Sequence, residues 1–163
     1  MIHIHFRYLL NVAAPQRETE WRKQMATWHS QIVITTSALE APAKRWDGAV
    51  GATVEFWGVV RSLEDGRAIS GIEYEAHQLM AKHQMELIAQ AAHEKFLLDE
   101  VLLHHRIGFV AAGEPSLYLR VSSSHRGEAF EASAWIVSEL KQKVPIWKRP
   151  LFASQDQPSA VAS

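Results

Sequence analysis

What most constrains this chain is a change of hydrophobic period along its length. From Gly51 to Val60, the residues Val54, Phe56, Gly58 and Val60 alternate with Thr53, Glu55, Trp57 and Val59. That period of two belongs to a strand with distinct faces. Between Gln78 and Leu98 the spacing lengthens: Ala81, Met85, Ile88, Ala92 and Phe96 recur at three- and four-residue steps, so they share one face of a helix. Alternation returns at Leu117, Leu119 and Val121 against Tyr118, Arg120 and Ser122. A second helix is predicted from about Gly127 to Lys143, bounded by the serine run before it and Pro145 after it. Its apolar arc takes Ala129, Phe130, Ala134, Ile136, Val137 and Leu140. Further strands are predicted at Gln31–Thr36, Ile69–Ala76 and Val101–Val110. The turn signal Glu64-Asp65-Gly66 predicts a hairpin between the strand ending at Val60 and the one starting at Ile69. Strand runs broken by two helices predict an α+β fold, a mainly antiparallel sheet packed with two main helices.

Length and charge narrow the function classes. A chain of 163 residues suits one domain with a real core. A formal net charge of -1 and a pI near 6.8 give little support to general nucleic-acid binding. There is no cysteine, which excludes disulfides, thiolate metal sites and a cysteine nucleophile, and fits a cytoplasmic location. No apolar run reaches the roughly 18 residues of a membrane span. The opening, Met1 to Leu10, makes a poor signal peptide because Arg7 interrupts a short apolar stretch. Residues 1–30 read as an N-terminal extension: they lack a steady period, and Pro15 breaks any early helix. Met25 lies just ahead of the first convincing strand, so residues 1–24 are expected to be dispensable or to precede the native start. Residues 31–150 form the domain, and 151–163, rich in Ser, Ala, Gln and Pro, a flexible tail.

Positive charge gathers at the second helix. His125 and Arg126 stand at its start, where unpaired N–H groups and the macrodipole attract anions. Lys141, Lys143, Lys148 and Arg149 follow, and from Lys141 to the chain end only Asp156 is acidic. Lys141 falls inside the apolar arc. Either its stem covers the core while the amine reaches water, or the amine sits in a partly apolar pocket that favours its neutral, nucleophilic form. Lys148 follows Trp147 in a segment read as irregular, near enough in sequence to approach the same pocket. Arg61, at the end of Gly58-Val59-Val60-Arg61, can grip a phosphate or carboxylate with two nitrogens. His104 and His105 are adjacent on a strand and so point to opposite faces; they cannot share a metal. His77, His83 and His93 lack a ligand spacing on one helix face. Glu73 and Glu75 share a strand face, as paired carboxylates or a solvated surface. Ser122 to Ser124 lack the Gly-x-Ser-x-Gly elbow of a serine hydrolase.

Five ordered blocks resemble the large, catalytic subunit of molybdopterin synthase. They are Gly58-Val59-Val60-Arg61, Ile72-Glu73-Tyr74-Glu75-Ala76, His105-Arg106-Ile107-Gly108, Val121 to Ala132, and Leu140-Lys141-Gln142-Lys143-Val144-Pro145-Ile146-Trp147-Lys148. The resemblance implies an α/β-hammerhead-like fold and a homodimer carrying a small ubiquitin-like sulfur-carrier subunit at each end, a heterotetramer in all. The carrier's C-terminal Gly-Gly thiocarboxylate would give its sulfur, twice, to cyclic pyranopterin monophosphate, making the dithiolene of molybdopterin. On this resemblance Lys141 and Lys148 are catalytic, while Val59, Val60, Arg61, His125, Arg126 and Arg149 bind or line the substrate. No metal or cofactor is implied. Both ligands are anions, which agrees with the cationic cluster. Two stretches depart from the family pattern: Ser62-Leu63-Glu64-Asp65 replaces an Asn-containing turn, and Pro150-Leu151-Phe152 replaces an acidic continuation. The alternative from another class is a non-catalytic scaffold that binds a carrier-protein tail.

Overall fold

A computed structural model describes residues 28–44, 46 and 48–153. Residues 1–27 of the expected extension 1–30 and 154–163 of the expected tail 151–163 lie outside the described residues; of the remainder, His29 and Ser30 belong to the first strand and Leu151 and Phe152 to the last. In chain order the elements are β1 His29–Thr35, β2 Ala52–Val59, β3 Leu63–Glu64, β4 Arg67–Ala76, α1 Gln78–Phe96, β5 Leu98–Arg106, β6 Gly108–Ala111, β7 Pro115–Ser123, α2 Arg126–Lys143 and β8 Ile146–Phe152. The α+β expectation holds. One four-stranded sheet has the order β1-β5-β7-β2, and a second has β3-β4-β6 with β8 also paired to β4. Only the β1–β5 pairing is parallel among these ladders. No helix among the described residues is long and apolar enough to cross a membrane.

Both helices lie on one face of the first sheet. Met85, Ile88 and Ala92 of α1, with Ile136 and Leu140 of α2, pack on Leu98, Val101 and Leu103 of β5 and on Leu119 and Val121 of β7. Each of these side chains larger than alanine contributes about 1.5–3 kcal/mol on leaving water. α1 starts where His77 accepts a hydrogen bond from the Met80 amide, and it stops at Leu97, whose left-handed φ of 55° turns the chain into β5. The sheet's other face buries polar groups. Arg120, only 1% exposed, meets Glu55 at 2.9 Å and donates to the carbonyls of Pro42 and Ala43 at 2.6 and 3.1 Å. A charge so buried is tolerated because its donors find partners. A smaller core of Val60, Ile69, Ile72 and Val110 sits in the second sheet.

Four local expectations are corrected. The turn at Glu64-Asp65-Gly66 joins β3 to β4, while β2 pairs with β7 in the other sheet. The expected single strand Val101–Val110 is two, because Ile107 and Gly108 (φ 79°) swing the chain from one sheet to the other. Phe130 and Ala134 face solvent, and Ala132 and Ser133 are buried in their place, since the arc is turned toward the sheet by neighbouring Ala129 and Ile136. Lys148 is held in strand β8, laddered opposite Tyr74, where the sequence read as irregular.

Candidate active site

Where the two sheets meet beside the end of α2, they leave a cleft of about 590 Å³. β2 supplies Phe56, Gly58 and Val59; β7 supplies Ser116 and Leu117; β5 supplies His105, its penultimate residue. The opposite wall is Tyr74 of β4 with Ile146 and Lys148 of β8, and α2 closes it with Val137, Leu140 and Lys141. Helical spacing explains why Val137 and Lys141 share this wall, four residues apart on one face. Strand alternation explains why Ile146 and Lys148 do so while Trp147 and Arg149 point to the other side. Pro145 ends the helix between the two groups, so Lys141 and Lys148 reach one space from rigid elements of different kinds.

Lys141 is exposed and lines the cleft beside Val137 and Leu140, so the two readings of it, an amine that reaches water and a place in a partly apolar pocket, are compatible. Lys148 donates to Glu64 Oε1 at 2.6 Å, and Arg61 Nη2 donates to Glu64 Oε2 at 3.1 Å. The hydrogen bond and charge of Lys148, opposed by burial and helped by Arg61, hold the Glu64 carboxyl below its ordinary range. His105 has its Nδ1 2.8 Å from the Arg106 carbonyl oxygen. That oxygen can only accept, so Nδ1 carries the proton and Nε2 is left as an acceptor. Burial holds His105 below the ordinary histidine range, against that hydrogen bond, which raises it, and Tyr74 meets its ring edge-on at 5.4 Å.

The residues singled out in the sequence therefore divide. Lys141, Lys148 and Val59 line the cleft, and Arg61 joins Lys148 through Glu64. Val60 is buried in the second core, bonded to the backbone of Glu114 and Gly113. Arg149 is laddered opposite Glu73 on the face away from the cleft. His125 borders a separate depression of about 150 Å³ with Phe96, Leu97, Ser123, Ser124 and Glu128. From Arg126 to Lys141 is 15 residues of one helix, an axial distance of about 22 Å. Ser122 bonds Glu100 and Thr53, and Ser123, which also borders the depression beside His125, donates to the His125 carbonyl. The sequence does not single out Tyr74, His105 or Glu64 as site residues: the first two stand inside two of the five blocks, but a strand face gives no sign of which side meets a cleft.

A family model described as MoaE protein matches residues 30–143. The chain belongs to the MoaE family. The matched span runs from the second residue of β1 to the end of α2, and Lys148 on β8 follows it. A molybdopterin synthase catalytic subunit from Pyrococcus abyssi is 44% identical over 110 residues, covering 68% of this chain and 74% of its own. The human protein of the same description is 34% identical over 102 residues, covering 63% of this chain and 54% of its own. Among solved structures, the molybdopterin synthase from Staphylococcus aureus superposes with a TM-score of 0.64 at 29% identity, covering 75% of this chain and 90% of its own. A complex of subunits 1 and 2 of the molybdopterin-converting factor from Helicobacter pylori shares the fold, with a TM-score of 0.55 at 20% identity over 77% of this chain and 90% of that one. The α+β architecture is thus that of MoaE proteins.

Proposed function

We propose that this chain is the catalytic subunit of a molybdopterin synthase, an enzyme that takes sulfur from the C-terminal thiocarboxylate of a small ubiquitin-like carrier and gives it to cyclic pyranopterin monophosphate. One observation carries the reading: two lysines, Lys141 and Lys148, converge from a helix end and a strand on one partly apolar cleft. Such a cleft suits an extended tail ending in an anion, because its walls exclude water and its cations meet the charge. The sulfur arrives on the carrier, which agrees with a chain that has no cysteine. In this reading one lysine captures or orients the carrier's acyl carbon and the other moves protons. Arg61 binds anionic oxygen beside Lys148, and Val59 lines the tail's path.

The chain works as a homodimer with a carrier at each end, in the cytoplasm. His125 and Arg126 bind the pterin phosphate, and the 22 Å along the helix, about 1.5 Å per residue, means that a second copy brings them to a given cleft. Val60 acts by holding the backbone beneath Val59, and Arg149 acts from the outer face of β8. The deciding assay mixes the protein with thiocarboxylated carrier and pyranopterin substrate and measures dithiolene product. Product formation supports the enzyme; carrier binding without product would replace it with the scaffold reading.

A further inference from the structure

We infer that Glu64 is an internal counter-anion: in the free subunit its carboxylate occupies the Arg61–Lys148 pair, and an incoming anionic ligand takes its place. The inference builds on the reading of Arg61 and Lys148 as ligand-facing cations. Glu64 uses its two oxygens separately, Oε1 for Lys148 at 2.6 Å and Oε2 for Arg61 at 3.1 Å. That two-point grip is the geometry a ligand carboxylate, thiocarboxylate or phosphate edge would adopt between the same cations. The carboxylate is the sheltered member of the trio. Its side chain is 14% exposed, against 77% for Arg61 and 56% for Lys148.

The backbone aims it. Asp65 and Gly66 follow with φ of 51° and 75°, two left-handed residues in succession, which make the tight turn joining β3 to β4. Glu64 is thereby pinned opposite Arg67 at the hairpin's end, while Lys148 is pinned opposite Tyr74. The bridge thus spans two hydrogen-bonded ladders, and 84 residues of chain separate its ends.

Ion pairs are weak and exchange readily when their cations are as open to water as Arg61 and Lys148. A buried bridge would lock the cations away; this one keeps them oriented and yields to a better anion. It also disfavours retention of a spent carboxylate, which must compete with a carboxylate already attached to the protein.

The test is a titration with inorganic pyrophosphate at low ionic strength, followed by calorimetry. Glu64→Gln should bind about three- to ten-fold more tightly than the parent, the effect of removing two exposed pairs. Glu64→Ala should move in the same direction, and about 0.5 M salt should close the gap. In a Lys148→Ala, Arg61→Ala background the Glu64→Gln change should bring no gain. Equal or weaker binding by folded Glu64→Gln and Glu64→Ala overturns the inference alone. Failure of every variant to bind overturns it together with the assignment of Arg61 and Lys148 to ligand binding.

Discussion

At the scale of single residues, the site is a contrast between groups that chemistry announces and groups that only packing reveals. Lys141 was legible because a cation on an apolar helical arc is costly unless its amine has somewhere to go. Replacing it with alanine should lower dithiolene formation by about 100-fold or more, with the circular dichroism spectrum unchanged. Near-normal turnover would remove it from the chemistry. His105 was harder to read, since adjacent histidines on a strand say only that one faces in and one faces out. Burial is the leading cause that depresses both His104 and His105 below the ordinary value of 6.5. In the window just below 6.5 the unfolded chain therefore binds more protons than the folded one. Stability is present above that pH and is lost as pH falls. The melting temperature should drop between pH 7.5 and 5.5, and His105→Gln should flatten the profile. An unchanged slope in that variant would assign the pH dependence elsewhere.

At the scale of elements, period identified β2, β7 and both helices, and apolar runs located β1, β4 and the β5–β6 stretch, because alternation, three-to-four spacing and local apolarity are properties of short segments. Pairing was less legible. The Glu64–Gly66 turn was visible, yet β2 stays in the other sheet, where it pairs with β7 as an edge strand, and Val60 just after it drops into the second core. Nor does the run Val101–Val110 announce its break, because apolar residues continue on both sides of it. Gly71 marks the crowded centre of the second sheet. A methyl group there would meet the Val110 carbonyl and come within 2.6 Å of the Phe109 ring. Gly71→Ala should therefore cost about 1–3 kcal/mol in denaturant unfolding. A loss under half a kilocalorie would mean that Phe109, itself exposed, gives way without penalty.

At the scale of the whole molecule, the cations read together in the sequence lie at the two ends of α2. Helical rise makes this unavoidable, and a linear pattern hides it because neighbouring motifs look like one motif. The consequence can be measured. Lys141→Ala and His125→Ala chains should each be inactive alone. Co-expressed, they should recover about one quarter of parental activity, since a mixed symmetric dimer rebuilds one of its two sites. No recovery would place His125 outside any site shared between copies.

The step from β5 to β6 takes one residue, Ile107, and one left-handed glycine, Gly108. His105 lies just before it on one sheet, while Tyr74 belongs to the strand that β6 joins on the other. The gap between the walls is therefore governed by a hinge torsion as well as by the side chains that face it. Selection acting on Gly108 could widen or narrow the cleft for a bulkier or slimmer tail while leaving every lining residue in place. Gauge and chemistry are, in this architecture, separately heritable.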